Sequence, residues 1–214
     1  MKNKILVQCI CGILLLIPAL LFAGKEADDL VSSIQKKYNA INDITITFTQ
    51  VSHEGNESDG PGMTGTITLQ GKDKYRIEME GQTIVSDGKT VWTFTKSTNQ
   101  VLVDNYQDDS TVVTPEKILT TFTTQYDAQI VGKETLGAYQ TTNLNMTPKV
   151  KDSPVKQMKV WVDDTQSLMR KVQVEFTAGN VVTYTINSVK LNGGVSEKLF
   201  TFTPPKDAEV VDMR

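Results

Sequence analysis

The sequence predicts a mainly β protein in which one strongly curved antiparallel sheet of about eleven strands is covered by α-helices. Short runs of alternating apolar and polar residues recur along the chain, and a period of two is typical of a strand with one buried face. Turn-forming residues separate the runs, and an amphipathic helix precedes them. Because strand twist curls a sheet of this size, we expect its apolar face to become a concave inside that the helices cover.

The first predicted element is an amphipathic helix over residues 26–41. Its apolar residues recur at steps of three and four and would form one stripe: Ala27, Leu30, Val31, Ile34, Tyr38 and Ile41. A second, shorter helix is predicted from Thr114, a hydroxyl residue suited to a helix cap, with Pro115 in the first turn. The apolar side of this second helix would carry Ile118, Leu119 and Phe122.

The predicted strands begin at Ile44, where Ile44, Ile46 and Phe48 alternate with threonines. Ten further runs of this kind follow, at about 63–70, 73–80, 82–86, 90–95, 100–105, 126–132, 138–146, 157–163, 167–177 and 180–190. The dipeptide Asp87-Gly88 lies between two of these runs, and Asp-Gly in that position is a strong hairpin signal. We therefore expect neighbouring runs to pair antiparallel.

Residues 1–23 have the pattern of a secretory signal peptide. Lys2 and Lys4 precede an apolar run over residues 5–22, and cleavage is expected after Ala23. A retained membrane anchor is the alternative, since the run is almost long enough to cross a bilayer. Both cysteines, at positions 9 and 11, lie in this leader, so the domain over residues 24–214 has no thiol. We expect an exported protein that depends on its core alone for stability.

The composition disfavours several classes of function. The chain of 214 residues has a formal net charge of -3, which provides no excess of basic residues for nucleic acid. His53 is the only histidine and no Gly-x-Ser-x-Gly motif is present, so we expect no Ser-His triad, no zinc site and no cofactor. Paired carboxylates for glycoside cleavage are not excluded by the sequence, which leaves an extracytoplasmic carboxylate-dependent hydrolase as one alternative.

The apolar face of the predicted sheet is the remaining candidate for function. It is rich in large or flexible side chains: Phe48, Tyr75, Met79, Trp92, Phe94, Phe122, Met158 and Phe176. Two interpretations are open, an ordinary packed core and a wide interior that a hydrophobic ligand fills. Met79, Met146 and Met158 suit the second, because methionine adapts to ligands of varied shape.

Several segments resemble the family of periplasmic outer-membrane lipoprotein carrier proteins, LolA. The likeness spans essentially all of residues 24–214, starting from the early helix. It rests on Phe48-Thr49-Gln50, Gly65-x-Ile67-x-Leu69, Ile84-Val85-Ser86-Asp87-Gly88-Lys89-Thr90-Val91-Trp92, Phe200-Thr201-Phe202-Thr203-Pro204-Pro205 and Val211-Asp212-Met213-Arg214. By themselves, residues 86–92 predict only a hairpin, and residues 200–205 only a strand that ends at proline.

The resemblance implies an incomplete barrel, closed by helices, around a hydrophobic cavity that receives the acyl chains of lipoproteins. It implies a soluble periplasmic carrier that ferries lipoproteins from the inner to the outer membrane without covalent chemistry. The implied partners are acylated lipoproteins, an ATP-driven inner-membrane release complex and an outer-membrane acceptor. No nucleic acid partner is implied, and we expect a monomer. A periplasmic binder of another lipid or amphiphile is the second alternative.

One position departs from the pattern of the family. Better-studied relatives carry an arginine in a turn between strands that links the lid to the sheet, whereas Gly71 stands at the aligned position here. The expected cavity would be lined on the lid by Leu30, Ile34, Ile118, Leu119 and Phe122. On the sheet it would be lined by Phe48, Ile67, Leu69, Ile77, Met79, Trp92, Phe94, Met158 and Val160. Replacement of Leu69 or Phe94 by glutamate is expected to abolish capture of lipoprotein.

Overall fold

The computed structural model describes residues 18–54, 61–107 and 125–214. The elements in these ranges are, in chain order, α1 (Pro18–Asn39), β1 (Asp43–Glu54), β2 (Met63–Gln70), β3 (Lys74–Met79), β4 (Gln82–Asp87), β5 (Thr90–Thr95), β6 (Gln100–Asn105), β7 (Tyr126–Leu136), β8 (Tyr139–Pro148), β9 (Val155–Asp163), β10 (Met169–Phe176), β11 (Asn180–Leu191), a 3-10 helix (Glu197–Phe200) and β12 (Glu209–Asp212). The second predicted helix, with Ile118, Leu119 and Phe122, lies outside the described residues.

The strands form one curved, unclosed sheet, as the sequence predicts. Its order is β12-β6-β5-β4-β3-β2-β1-β11-β10-β9-β8-β7. The eleven predicted strands are all present, and each pair of neighbours among them is antiparallel. The hairpin at Asp87-Gly88 is confirmed, with Gly88 at a φ of 90° and Asp87 Oδ1 accepting hydrogen bonds from the N–H groups of Lys89 and Thr90.

Two features at the ends of the chain differ from the prediction. Residues 200–205 do not form a strand, because Ser196 caps a 3-10 helix that ends at Phe200, and Pro204 and Pro205 have no N–H to donate to a ladder. A twelfth strand, β12, pairs parallel with β6 instead. At the other end, α1 is described from Pro18 onward, ahead of the predicted start at residue 26, and it runs through the expected cleavage position.

The sheet buries apolar side chains on both of its faces. On the concave face, Ile34 of α1 is fully buried in the main core together with side chains from β1–β3 and β8–β10. On the convex face, the segment after β11 crosses β3 and β4, where Arg76 Nη1 donates a hydrogen bond to the Leu199 carbonyl. Phe200 is buried, and the Phe202 ring lies 6.2 Å from that of Phe94. The C-terminal segment therefore forms a second apolar layer outside the curved sheet.

Candidate functional site

The concave face is apolar across its first half, from β1 to β4. Ile46 of β1 pairs directly with Ile67 of β2, Ile67 with Ile77 of β3, and Ile77 with Ile84 of β4. Directly opposed residues lie on the same face of a sheet, so these isoleucines form one row across four strands. Ile46, Ile67 and Ile77 are each 1% exposed, which shows that the row is covered.

The second half of the concave face, from β8 to β11, has the same character. Leu144 pairs with Val160, Val160 with Val172, and Val172 with Tyr184. The Tyr184 ring meets Phe48 edge to face, with the ring centroids 5.8 Å apart. This contact joins the two halves where β11 pairs with β1.

Most of the predicted cavity residues that the structure describes lie together on this face. The main core contains, or is packed against by, Leu30, Ile34, Phe48, Ile67, Leu69, Ile77, Met79, Met158 and Val160. Further members were not in the predicted cavity lining: Ile44, Ile46, Leu144, Val172, Val174 and Tyr184, together with Tyr75 and Met146, which the sequence analysis had named for the apolar face or its interior without assigning them to the lining. Alternation was the available signal for Ile44 and Ile46, which share the parity of Phe48 in β1, whereas β8 and β10 contained no residue of the predicted lining that would fix which of their faces is concave.

Trp92 and Phe94 lie on the opposite, convex face. Trp92 pairs with Val85 and Val103, and Phe94 pairs with Thr83 and Val101, all residues of the convex row. The expectation that Trp92 and Phe94 line the cavity together with the concave residues was therefore wrong. The alternation of β5 defines two faces but does not say which one is concave, and here the larger side chains pack under the C-terminal segment.

Two side chains of α1 attach the helix to the turn between β9 and β10. Ser33 Oγ donates to the Leu30 carbonyl at 2.8 Å and lies 3.3 Å from Ser167 Oγ, within hydrogen-bond distance. The Tyr38 hydroxyl accepts a hydrogen bond from the Met169 N–H at 3.4 Å. Burial raises the pKa of Tyr38 to about 12, against the smaller opposing effects of the Met169 N–H and of the Arg170 charge, so this hydroxyl stays neutral.

The turn that receives α1 is itself held by a buried ion pair. Arg170 donates from Nε and Nη2 to Asp163 Oδ2, at 3.1 and 2.7 Å, and both side chains are under 8% exposed. The other carboxylate oxygen accepts hydrogen bonds from Thr165 and Gln166 inside the turn. The Arg170 guanidinium also stacks 3.7 Å above the Tyr139 ring. Because hydrogen-bond donors surround the Asp163 carboxylate, the β9–β10 turn that contacts α1 is held in one conformation.

Two cavities border the C-terminal turns of α1. One, of about 320 Å³, is lined by residues that include Tyr38, Ile41, Ile44, Leu69 and Gly71. The other, of about 530 Å³, is lined by residues that include Ser33, Lys36, Lys37, Ser167 and Leu191. Ile44 and Leu191 are directly paired across β1 and β11, so the two cavities lie side by side under the end of the helix.

The position that aligns with the arginine of better-studied relatives lines the smaller cavity. Gly71 lies in the turn between β2 and β3 with a φ of 65°, and a Cβ built on it would have no heavy atom within 4 Å. No side chain from this position therefore reaches α1, and the described contacts of Ser33 and Tyr38 are with the β9–β10 turn on the other side.

Residues 39–203 match the family model described as outer membrane lipoprotein carrier protein LolA. The chain belongs to this family. The matched segment runs from the end of α1 through β11 to the start of the C-terminal segment, so it contains nearly all of the concave face. By its description, LolA is a family of carriers of lipoproteins, and a carrier binds its cargo without converting it.

Known proteins resemble the chain over most of its length. It is 24% identical to an outer-membrane lipoprotein carrier protein of Pasteurella multocida over 190 residues, which is 87% of this chain and 88% of that protein. It is 24% identical to one of Histophilus somni over 202 residues, which is 92% of this chain and 95% of that protein. A crystal structure of an uncharacterized conserved protein from Thermus thermophilus shares the fold, with a TM-score of 0.58 and 14% identity over 86% of this chain and 97% of that one.

In residues 18–54, 61–107 and 125–214, no helix combines the length and the apolar character that crossing a bilayer requires.

Proposed function

We propose that this LolA-family protein is a soluble periplasmic carrier that shields the acyl chains of lipoproteins and ferries them from the inner to the outer membrane. The observation that carries the proposal is the apolar concave face, which extends in the sheet from β4 through β1 and β11 to β8, with α1 packed on it. Leu30, Ile34 and Tyr38 of the helix pack on this face and would be exchanged for acyl chains on loading. The protein would bind its cargo without covalent chemistry.

The energy of exposing acyl chains to water explains why a carrier is needed. Burial of one methylene group is worth about 0.8 kcal/mol, so a chain of about 16 carbons left in water costs roughly 12 kcal/mol. Three such chains would cost roughly 35 kcal/mol, which exceeds the practical limit of about 18 to 21 kcal/mol for noncovalent affinity. A passive carrier therefore cannot extract the cargo from a bilayer by itself. We propose that an ATP-driven inner-membrane complex loads it and an outer-membrane acceptor unloads it.

The described interior is closed in this structure. Ile34, Leu144, Met146 and Val160 are 0% exposed, and Met158 is 1% exposed, so acyl chains have no path between them while α1 stays in place. Interiors are close-packed, and a ligand of this size requires the cover to move. The methionines on the concave face would then adapt to chains of different length.

The leader belongs to the same proposal. We propose that residues 1–23 are a signal peptide that is cleaved after Ala23, which would release the carrier domain into the periplasm. N-terminal sequencing of the exported protein would locate the cleavage position, and a retained leader would contradict this part of the proposal.

The proposed transport is tested by release of lipoproteins from spheroplasts. We expect the purified protein to bring newly made lipoproteins into the soluble fraction in an ATP-dependent manner, and to hold them in a complex that a pull-down recovers. An unrelated periplasmic protein serves as the control for leakage. If no lipoprotein is released while mass spectrometry finds a fatty acid or glycolipid bound to the protein, the chain carries a different amphiphile.

A further inference from the structure

The helix α1 makes two kinds of contact, apolar and polar. Ile34 is a member of the main core, and Leu30 and Val31 pack against it. These apolar contacts, unlike hydrogen bonds, have no fixed direction. The side-chain hydrogen bonds between α1 and the sheet, among the described residues, come from Ser33 and Tyr38, and both reach residues 167–169. The helix is therefore attached by polar groups at one place, the β9–β10 turn.

The space beside this attachment lies between α1 and the sheet. Tyr38 lines the cavity of about 320 Å³, and Ser33 and Ser167 line the cavity of about 530 Å³. Both volumes are within the range of about 300 to 1,000 Å³ that is usual for pockets that bind ligands. The two attached side chains of α1 therefore line different cavities, Tyr38 the smaller and Ser33 the larger.

The smaller cavity borders the apolar interior. Ile44 and Leu69, which are paired across β1 and β2, line the cavity and belong to the main core, each at 4% exposure. Ile41 also lines it and packs against the same core. Gly71 also lines the smaller cavity and has no side chain that would narrow it. Asn39, Asn42, Asp43 and Lys72 also line the cavity, so an apolar chain that entered here would meet both polar residues and residues of the main core.

We propose that acyl chains enter the interior under the C-terminal turns of α1, and that Ser33 and Tyr38 form a latch that holds this entrance shut against the β9–β10 turn. The inference rests on the proposed function and adds the place of entry and the residues that control it. The latch has a rigid base, because the buried pair of Asp163 and Arg170 holds the turn. Opening would break the two hydrogen bonds and withdraw Ile34 from the core.

A disulfide across the latch tests the entrance directly. Ser33 Oγ and Ser167 Oγ are 3.3 Å apart, and the longer C–S bonds bring two sulfur atoms toward the bonding distance of about 2.05 Å when both residues are cysteine. The variant is Ser33→Cys with Ser167→Cys, in a chain whose Cys9 and Cys11 are replaced by serine. Its probe is a fluorescent triacylated lipopeptide in detergent micelles. We expect the oxidised form to lose at least about 90% of capture, and dithiothreitol to restore capture to that of the unmodified chain.

Each result of this experiment has a definite meaning. Equal capture by the oxidised and reduced forms, with the disulfide verified by mass spectrometry, would overturn the entrance and leave the proposed carrier function intact. Failure of the unmodified chain to capture the lipopeptide would overturn both. Failure of the reduced variant alone would mean that Ser33 and Ser167 have a role other than a releasable contact, which would overturn the latch.

A second pair of variants tests the latch without a crosslink. Ser33→Ala removes one hydrogen bond of the latch, and Ser32→Ala is the matched control, because Ser32 is the exposed neighbour on the same helix and gains the same helix propensity. A hydrogen bond is worth about 0.5 to 1.5 kcal/mol, so Ser33→Ala should raise the rate of dye uptake into the interior about 2- to 13-fold. The probe is phenylnaphthylamine followed by stopped-flow fluorescence. Equal rates in the two variants would contradict the latch.

Discussion

Position 65 requires glycine because neighbouring side chains occupy the space that a Cβ would fill. A Cβ built on Gly65 would lie 2.5 Å from Phe48 Cζ and 3.0 Å from Met79 Cγ. Phe48 is 2% exposed and its ring packs on Tyr184, so the ring has little room to move. The glycine allows an aromatic ring of the neighbouring strand to lie directly on the backbone of β2.

Gly65→Ala is therefore expected to lower the free energy of unfolding by about 1–3 kcal/mol, the usual cost of overpacking a core. Urea unfolding followed by circular dichroism measures it. The same substitution in a Phe48→Leu background should cost clearly less, because the ring atoms that the new methyl group meets are absent. An equal cost in both backgrounds would show that the ring is not the cause.

Asp163 couples the stability of the β9–β10 turn to pH. Burial acts to raise the pKa of this carboxyl, but hydrogen bonds from Thr165, Arg170 and the N–H of Gln166 outweigh it and hold the pKa at about 2. A lowered pKa means that the ionised carboxylate is favoured in the folded state. Its contribution is present above the unfolded value of about 3.9 and is lost as the pH falls toward 2.

We expect Asp163→Asn to destabilise the protein by about 2 kcal/mol or more at pH 7, since it leaves the Arg170 charge buried without its partner. The difference in unfolding free energy between this variant and the unmodified chain should shrink between about pH 4 and pH 2. Urea titrations at a series of pH values measure the difference. If it stays constant over this range, the carboxylate is not the group that titrates.

At the scale of elements, the two faces of β5 have different neighbours. Its convex side carries Trp92 and Phe94 under the C-terminal segment, while Thr93 pairs with Ile84 on the concave side. In β2 the roles are reversed, since Ile67 and Leu69 lie on the concave face and Thr66 and Thr68 on the convex face. The two strands have similar alternation, and only their position in the sheet distinguishes which side meets α1.

The sequence alone predicts the same loss of capture for glutamate at position 69 and at position 94. The structure predicts different results, because Leu69 lies on the concave face and Phe94 on the convex face. Leu69→Glu puts a carboxylate beside the proposed entrance and should abolish capture of a labelled lipopeptide. Phe94→Glu, which lies on the convex face, should leave capture within about 2-fold of the unmodified chain, as usual for a substitution outside a binding site.

Far-ultraviolet circular dichroism and thermal unfolding verify that both variants are folded. Loss of capture in folded Phe94→Glu would mean that the convex face takes part in binding. Full capture by folded Leu69→Glu would remove Leu69 from the proposed entrance.

At the scale of the whole molecule, the curved sheet has a helix packed on one side and the C-terminal segment on the other. On the concave side, α1 packs through apolar contacts and a few hydrogen bonds, which a ligand can replace. On the convex side, the C-terminal segment is tied to the sheet at both ends, through the hydrogen bonds of Gly193 and Gly194 to Asp43 and through the pairing of β12 with β6. Opening of α1 would therefore leave the sheet and its convex layer unchanged.

The sequence by itself determined eleven of the twelve described strands, the antiparallel pairing of strands joined by short turns, and the apolar stripe of α1. These follow from local causes, because alternation, turn residues such as Asp87-Gly88 and helical spacing act over a few residues. The family resemblance was also readable from the sequence, and the family match over residues 39–203 confirms it.

The tertiary structure decided which face of each strand is concave, what covers Trp92 and Phe94, and where α1 is attached. Alternation specifies two faces of a strand but does not orient them, so Trp92 and Phe94 were assigned to the wrong side. The pairing of β12 with β6 and the contact of Ser33 with Ser167 join residues more than 100 positions apart. Such contacts exist only after the sheet has curved, because curvature brings the ends of distant elements together.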